Sequence, residues 1–203
     1  MLCFYSNFYI YNFYDVFDYL NHIKEIDGFI FQNFSKEGSK NLKYERNYFS
    51  ASNARKIDAI RETIQKWKNE NLITELEFYI LICSLLEEIP SISNIAGTYG
   101  AFLKINDPRM SKTLQIKMPK TISSKLKHEC FNENGNDLIR KIKCDVLYID
   151  PPYNERQYPP NYHMLETLIL NGLSENIELR YNTNFSVRSE EHTSELQSRL
   201  HLV

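Results

Sequence analysis

The residues that most constrain this chain are Asp145-Val146-Leu147-Tyr148-Ile149-Asp150-Pro151-Pro152-Tyr153-Asn154. A short apolar run ends in an acid, two prolines and an aromatic ring. Such a run, closed by a hard stop, is the pattern of a strand buried on both faces. Val146 to Ile149 is therefore expected to be an inner strand of an open α/β sheet. Proline has no N–H to give a ladder, so pairing must stop at Pro151. Asp150 then stands at the carboxyl end of the strand, where open α/β sheets bind ligands.

That position suits one kind of chemistry. Asp150 can accept an N–H from an exocyclic amine, and the turn at Pro151 offers a backbone carbonyl as a second acceptor. Two acceptors around one nitrogen favour a tetrahedral, nucleophilic amine as charge develops, for example during attack on the methyl sulfonium of S-adenosylmethionine. Tyr153 presents a flat face on which a base drawn out of a duplex can stack. The same four residues, Asp150, Pro151, Pro152 and Tyr153, also suit an ordinary strand-ending turn, because proline stops ladders and Asp favours turns.

The residues that follow bear on this choice. They are Asn154-Glu155-Arg156-Gln157-Tyr158-Pro159-Pro160-Asn161-Tyr162-His163-Met164-Leu165-Glu166-Thr167. With Asp150 to Tyr153, this run resembles the bacterial adenine-specific (N6) DNA methyltransferases of restriction–modification systems, relatives of the Dam methylases. Upstream, Gly28 to Ser35, Tyr48 to Ser50, Asn53 to Arg61 and Tyr99 to Lys104 are similar to that group in the same order. The resemblance covers roughly residues 19 to 170. It implies an α/β, Rossmann-like methyltransferase fold with a helical insertion, S-adenosylmethionine as cofactor and double-stranded DNA as substrate. It also implies a cognate restriction endonuclease as a possible partner, and a bacterial cytoplasmic setting. Asp150 and the Pro151 carbonyl would receive the adenine amine, and Tyr153 would stack on the base. Methylation of another amine (cytosine N4, RNA or a protein amide) stays open, as does a non-catalytic DNA-binding remnant.

Composition sets outer bounds. A chain of 203 residues with a net charge of −2 fits one soluble domain without a global pull toward nucleic acid. Cys3, Cys83, Cys130 and Cys144 are scattered without paired spacing, so they read as reduced thiols and not as a zinc site or disulfide frame. No Pro-Cys pair supplies the covalent route used on ring carbons. No run is long and apolar enough for a membrane span.

Both ends read as foreign to the expected fold. Arg188 to Ser198 resembles a translated sequencing adapter, so roughly Arg188 to Val203, with His192 and His201, is set aside. Met1 to Tyr19 is rich in Phe and Tyr interspersed with Asn and Asp, unlike a signal peptide. The family's Phe-x-Gly-x-Gly cofactor turn should precede residue 19, yet the first glycine is Gly28. The chain is therefore expected to be an incomplete methyltransferase, inactive alone. Its parts would be 1–48, a remnant of the cofactor half; 49–105, a helical segment; 106–187, a target-recognition segment with part of the catalytic core; and 188–203, a non-native tail.

Between the ends, Ser52 or Asn53 is expected to cap a helix carrying Ile57, Ile60, Ile64 and Trp67 at helical spacing. Thr74 and Glu77 form a capping box for a second helix through Leu86, with Leu76, Ile80, Cys83 and Ser84 as its stripe and Pro90 ending or kinking it. From Lys104 to His128 the chain is basic, with Lys104, Arg109, Lys112, Lys117, Lys120, Lys125 and Lys127 against the single acid Asp107. Strands and turns are expected there. The run is either a solvated loop or a phosphate-contacting segment; the family's order favours the second. Asp137 either caps a short helix, with Leu138, Ile139 and Ile142 on its apolar side, or holds the adenine end of the cofactor, as the resemblance implies. Pro159-Pro160 can open a last helix that Asn171-Gly172 closes, with Tyr162, Leu165 and Ile169 inward. Arg156, Tyr158, Asn161 and His163 could line the DNA side.

Overall fold

The structure, a computed structural model, describes residues 4–5, 8–9, 13–120, 125–131, 133–149 and 158–170. Two short strands, β1 (Phe4–Tyr5) and β2 (Phe8–Tyr9), pair antiparallel. Helices follow: α1 (Phe13–Asn21), α2 (Phe29–Phe34), α3 (Ala51–Asn69), α4 (Glu75–Ile92), α5 (Gly135–Lys141) and α6 (Tyr158–Ile169). A 3-10 turn spans Pro108–Ser111.

Helix α3 is the centre of the core. Ala54, Ile57, Ile60, Ile64 and Trp67 recur at helical spacing and all are buried. Its cap is Ser50, whose side chain accepts from the Asn53 amide at 3.3 Å. This corrects the expected cap by two or three residues: Ser52 and Asn53 lie within the helix's first turn. The helix closes in a Schellman motif. Leu72 N donates to Trp67 O at 2.9 Å and Asn71 N to Lys68 O at 3.0 Å, with Asn71 at φ 54°. Asparagine tolerates that left-handed position better than most residues.

Helix α4 begins with the expected capping box, Thr74 and Glu77. It does not stop at Leu86 but runs to Ile92 with Pro90 inside. The carbonyls near its end are taken by side chains. Ser91 Oγ donates to Glu88 O at 2.7 Å, Ser93 Oγ to Ile89 O at 2.5 Å, and Arg109 to Pro90 O at 3.3 Å. Such partners satisfy groups that a helix terminus leaves open. The buried face is Phe78, Leu81, Ile82, Leu85, Ile89 and Ile92. Of the expected stripe only Ser84 is buried, while Leu76 is 69% exposed. In so apolar a helix several faces compete, and packing on α3 selects among them.

Residues 113–116, where strands and turns are expected, carry no regular secondary structure and pair with no strand among the described residues. Two asparagines replace the ladder. Asn53 accepts from Leu114 N at 3.0 Å and donates to Lys112 O at 2.7 Å. Asn21 accepts from Ile116 N at 2.8 Å and donates to Ile116 O at 2.9 Å. An asparagine side chain carries N–H donors and a carbonyl acceptor on one planar amide, so it can pair with a peptide unit as a neighbouring strand would. Leu114 and Ile116 point into the core while Thr113, Gln115 and Lys117 face out, the alternation of an extended chain.

The expected inner strand is a correction. Val146–Ile149 carries no regular secondary structure, and Val146 and Tyr148 are 83% and 74% exposed. A buried strand needs neighbours on both edges, and no other strand among the described residues lies beside it. Helix α6 also differs in register: Met164, Thr167 and Leu168 are buried, whereas Tyr162 and Ile169 are exposed and Leu165 is partly buried. Pro159 and Pro160 do stand in its first turn, where proline's missing N–H costs nothing. Asn171 and Gly172 lie outside the described residues.

Candidate functional site

Asp150, Pro151, Pro152, Tyr153 and Arg156 lie outside the described residues. What the structure shows is how the helix that follows them is held. Tyr158 opens α6. The carbonyl of Asn161 accepts from Tyr99 N at 2.9 Å, so its backbone faces the protein. The ring of His163 packs against Phe34 and Tyr48, with centroids 6.3 and 6.0 Å away. At the far end, Arg61 donates from Nε to Leu168 O at 2.5 Å and from Nη2 to Ile169 O at 2.7 Å. One buried guanidinium thus takes two of the helix's last carbonyls and brings positive charge to its negative end. Burial lowers the pKa of Arg61 to about 10, which leaves it charged at neutral pH.

A second buried charge stands beside Arg61. Asp58 Oδ1 accepts from Ile30 N and Oδ2 from Phe31 N, each at 2.8 Å, and so caps α2 from a different helix. Gly28, the residue at the usual cap position, has no side chain to do this. A Cβ there would lie 2.6 Å from Asp58 Cγ, so the carboxylate's approach requires glycine. Desolvation pushes the pKa of Asp58 up to about 6, against the pull of the two amides. Asp58 and Arg61 line a cleft of about 440 Å³ with Phe29, Glu62 and Thr167. The sequence reading missed both roles. The available signal was position: Arg61 falls on the apolar stripe between Ile57 and Ile64, where a charge needs a buried partner.

The remaining expected residues scatter. Asp137 sits in the first turn of α5, exposed, with a carboxylate oxygen 4.0 Å from Arg140. The cap of α5 is Asn134, whose side chain accepts from Asn136 N at 2.9 Å, so the alternative of Asp137 as cap is corrected. Lys104, Lys112 and Lys120 are exposed. Arg109 is committed inward: it pairs with Asp107 at 2.9 Å and donates to Ile95 O at 2.6 Å. The Arg109 guanidinium holds the Asp107 carboxyl down at about 2. Lys117 Nζ is 3.6 Å from Glu88. Cys83, Cys130 and Cys144 are free and exposed, and Cys3 lies outside the described residues. Among the described residues no cluster of His, Cys, Asp and Glu has the makings of a metal site, and no helix is long and apolar enough to cross a membrane.

The pattern of the D12 class N6 adenine-specific DNA methyltransferases matches residues 6–197. The chain belongs to this family. The match passes Arg188, into the segment set aside on sequence grounds. Among curated proteins, the chain is 50% identical to the modification methylase StsI of Streptococcus sanguinis over 127 residues, 63% of this chain and 19% of that protein. It is 51% identical to the type II methyltransferase M.FokI of Planomicrobium okeanokoites over 126 residues, 62% of this chain and 20% of that protein. To the type II methyltransferase M.NlaIII of Neisseria lactamica it is 38% identical over 151 residues, 74% of this chain and 44% of that protein. The D12-class chain therefore spans less than half the length of each of these relatives. No solved structure matches it. Membership of a methyltransferase family is consistent with a Rossmann-like fold, although the described residues are mostly helical.

Proposed function

We propose that this chain carries the target-adenine side of a site-specific DNA methyltransferase that modifies the N6 amine of adenine in double-stranded DNA. The observation that carries the reading is the run Asp150-Pro151-Pro152-Tyr153 standing inside a D12-class match. S-adenosylmethionine, when bound, supplies an electrophilic methyl group. Asp150 and the Pro151 carbonyl accept the amine's N–H groups and stabilise the charge that develops on it. Tyr153 stacks on the flipped base. Helix α6, fixed at Asn161, His163, Leu168 and Ile169, anchors the chain directly after this turn. Arg156, Tyr158 and Asn161 follow the turn and are proposed to face DNA, Asn161 through its side chain.

For the cofactor, Asp137 has an exposed carboxylate, one oxygen of which lies 4.0 Å from Arg140, and its chemistry fits a hydroxyl or amine donor. A Gly-x-Gly turn is lacking in the sequence, so no step is assigned to cofactor-binding residues and this chain by itself is expected to bind S-adenosylmethionine weakly. Relatives named as modification methylases point to a restriction endonuclease sharing the recognition site as the partner, in a bacterial cytoplasm.

The test is single-turnover methyl transfer from labelled S-adenosylmethionine to duplex DNA, with mass analysis of the nucleosides, in a protein of the relatives' full length that carries this segment. N6-methyladenine is the expected product. Asp150→Ala is expected to slow transfer by roughly 10²–10³, about 3–4 kcal/mol, with duplex binding retained. A normal rate in Asp150→Ala would leave the motif as a turn. Methylated cytosine would redirect the reading to another amine, and duplex binding without any methylation would leave a non-catalytic DNA-binding remnant.

A further inference from the structure

Two surface loops are fixed side by side by one buried residue. The side-chain amide of Asn94 donates to the carbonyls of Asn47 and Leu103, both at 2.9 Å, and its side-chain oxygen accepts from Asp107 N at 2.9 Å. Its backbone N–H donates to Tyr48 O at 2.8 Å and its carbonyl accepts from Leu103 N at 2.9 Å. Asn94 is fully buried. The side chains of Asn47 and Asn106 then meet across the seam at 2.7 Å. The first loop, residues 35–49, is closed on itself: Ser39 Oγ donates to Ser35 O at 2.6 Å and accepts from Arg46 N at 2.8 Å. Between it and the second loop, residues 103–112, lies a cleft of about 640 Å³ with Lys36, Lys40, Asn47, Asn106 and Ser111 on its walls.

The charge of this edge is one-sided. Lys36, Lys40, Lys104 and Lys112 are exposed, and none stands in an ion pair among the described residues. The nearby acids are largely answered within the protein: Glu37 by Arg55 at 2.8 Å and Asp107 by Arg109 at 2.9 Å. Glu45 is the acid on the cleft wall outside such a pair among the described residues. The basic run from Lys104 onward therefore does not act alone. Three of its cations, Arg109, Lys117 and Lys127, are engaged by the acids Asp107, Glu88 and Glu129, whereas Lys104 and Lys112 lie on the loop that Asn94 holds against a second basic loop.

We infer that the two loops form one preorganised edge for the backbone of duplex DNA, with Lys36, Lys40, Lys104 and Lys112 as its phosphate contacts. The inference rests on the reading that duplex DNA is the substrate. Lysines supply charge and release counterions, while the Asn and Ser groups between them supply neutral donors; such contacts set register and affinity and leave base choice to other residues. Because Asn94 fixes the spacing before DNA arrives, less ordering cost falls on binding.

The experiment is fluorescence anisotropy of a labelled DNA duplex with the full chain across a salt series. Each double variant, Lys36→Ala with Lys40→Ala and Lys104→Ala with Lys112→Ala, is expected to weaken binding and to reduce the log–log salt slope by roughly 2. Lys24→Glu, which removes the same net charge from an exposed site on neither loop, is expected to leave the slope unchanged. Unchanged slopes in both double variants, an equal loss in Lys24→Glu, tighter binding to the matching RNA duplex, or a wild-type chain that binds no duplex would each overturn the inference. The first two leave adenine methylation standing, which the nucleoside assay reports separately; the last two challenge both readings.

Discussion

Helix α3 carries an apolar stripe on a largely polar helix and Val146–Ile149 is an apolar run, yet the stripe lies at the centre of the core and the run is open to solvent. Ile57, Ile60 and Ile64 are fully buried; Val146 and Tyr148 are exposed. The difference lies in where each element finds its hydrogen bonds. A helix closes them within its own turns and needs only a face to pack, which α2 and α4 provide. A strand must borrow its partners from neighbouring chain, so its apolar side chains are buried only where a sheet already exists. Apolarity thus states a demand for burial, and connectivity decides whether these residues meet it among themselves.

The largest test of the contrast is Ile60→Ala. Ile60 has no exposure and lies at the centre of the core. Truncation removes buried methyl groups and leaves a cavity, which costs about 2–5 kcal/mol in comparable sites. Urea unfolding should show the midpoint falling with little change in slope. A cost under about 1 kcal/mol would mean that α3 is not the packed centre.

Asp58→Asn probes the polar side of the same helix. The amide side chain keeps one acceptor but turns its NH₂ toward a backbone N–H that the carboxylate now satisfies. An unsatisfied buried donor costs about 1–3 kcal/mol. The pH dependence sharpens this. The pKa of Asp58 in the folded chain is raised from 3.8 to about 6, so between those values the folded state holds a proton that the unfolded state has lost. The group's contribution is fully present below about pH 4 and is lost as pH rises through about 6, a change of roughly 3 kcal/mol. Wild type should therefore lose its advantage over Asp58→Asn as pH rises across that window. Urea titrations of both proteins from pH 4 to pH 7 check it; a constant difference would place Asp58 in water.

These residues also mark where sequence reading stops. The α3 stripe and the Thr74–Glu77 cap were legible because both are local: helical spacing and a three-residue offset carry the information. The buried faces of α4 and α6 were not, because an almost wholly apolar helix leaves the choice of face to its neighbours. The partners of Arg61, Asp58 and Asn94 were not legible for a related reason. Each satisfies backbone groups far away in sequence, Arg61 on Leu168, Asp58 on Ile30 and Asn94 on Leu103, and no short window contains both partners. The Asp150–Tyr153 run is the opposite case. Its proposed chemistry rests on residue order alone, while the strand expected before it depends on a sheet that the described residues do not form.

The smallest expected effect is the most discriminating. Val146→Ser removes apolar surface from a side chain that is 83% exposed. In this chain the cost should stay within about 0.5 kcal/mol, the range for substitutions that touch little. In a protein where Val146 is an inner strand residue the same change would forfeit buried methyl groups and add a hydroxyl needing a partner, for at least about 2 kcal/mol. Measuring both, in this chain and in a longer D12-class protein that carries the same segment, isolates what neighbouring strands contribute. A large cost in the chain alone would show that a sheet already forms here, and the contrast with α3 would collapse. A small cost in both would show that Val146 never becomes an inner strand residue, and Asp150 would lose the rigid support that its proposed role requires.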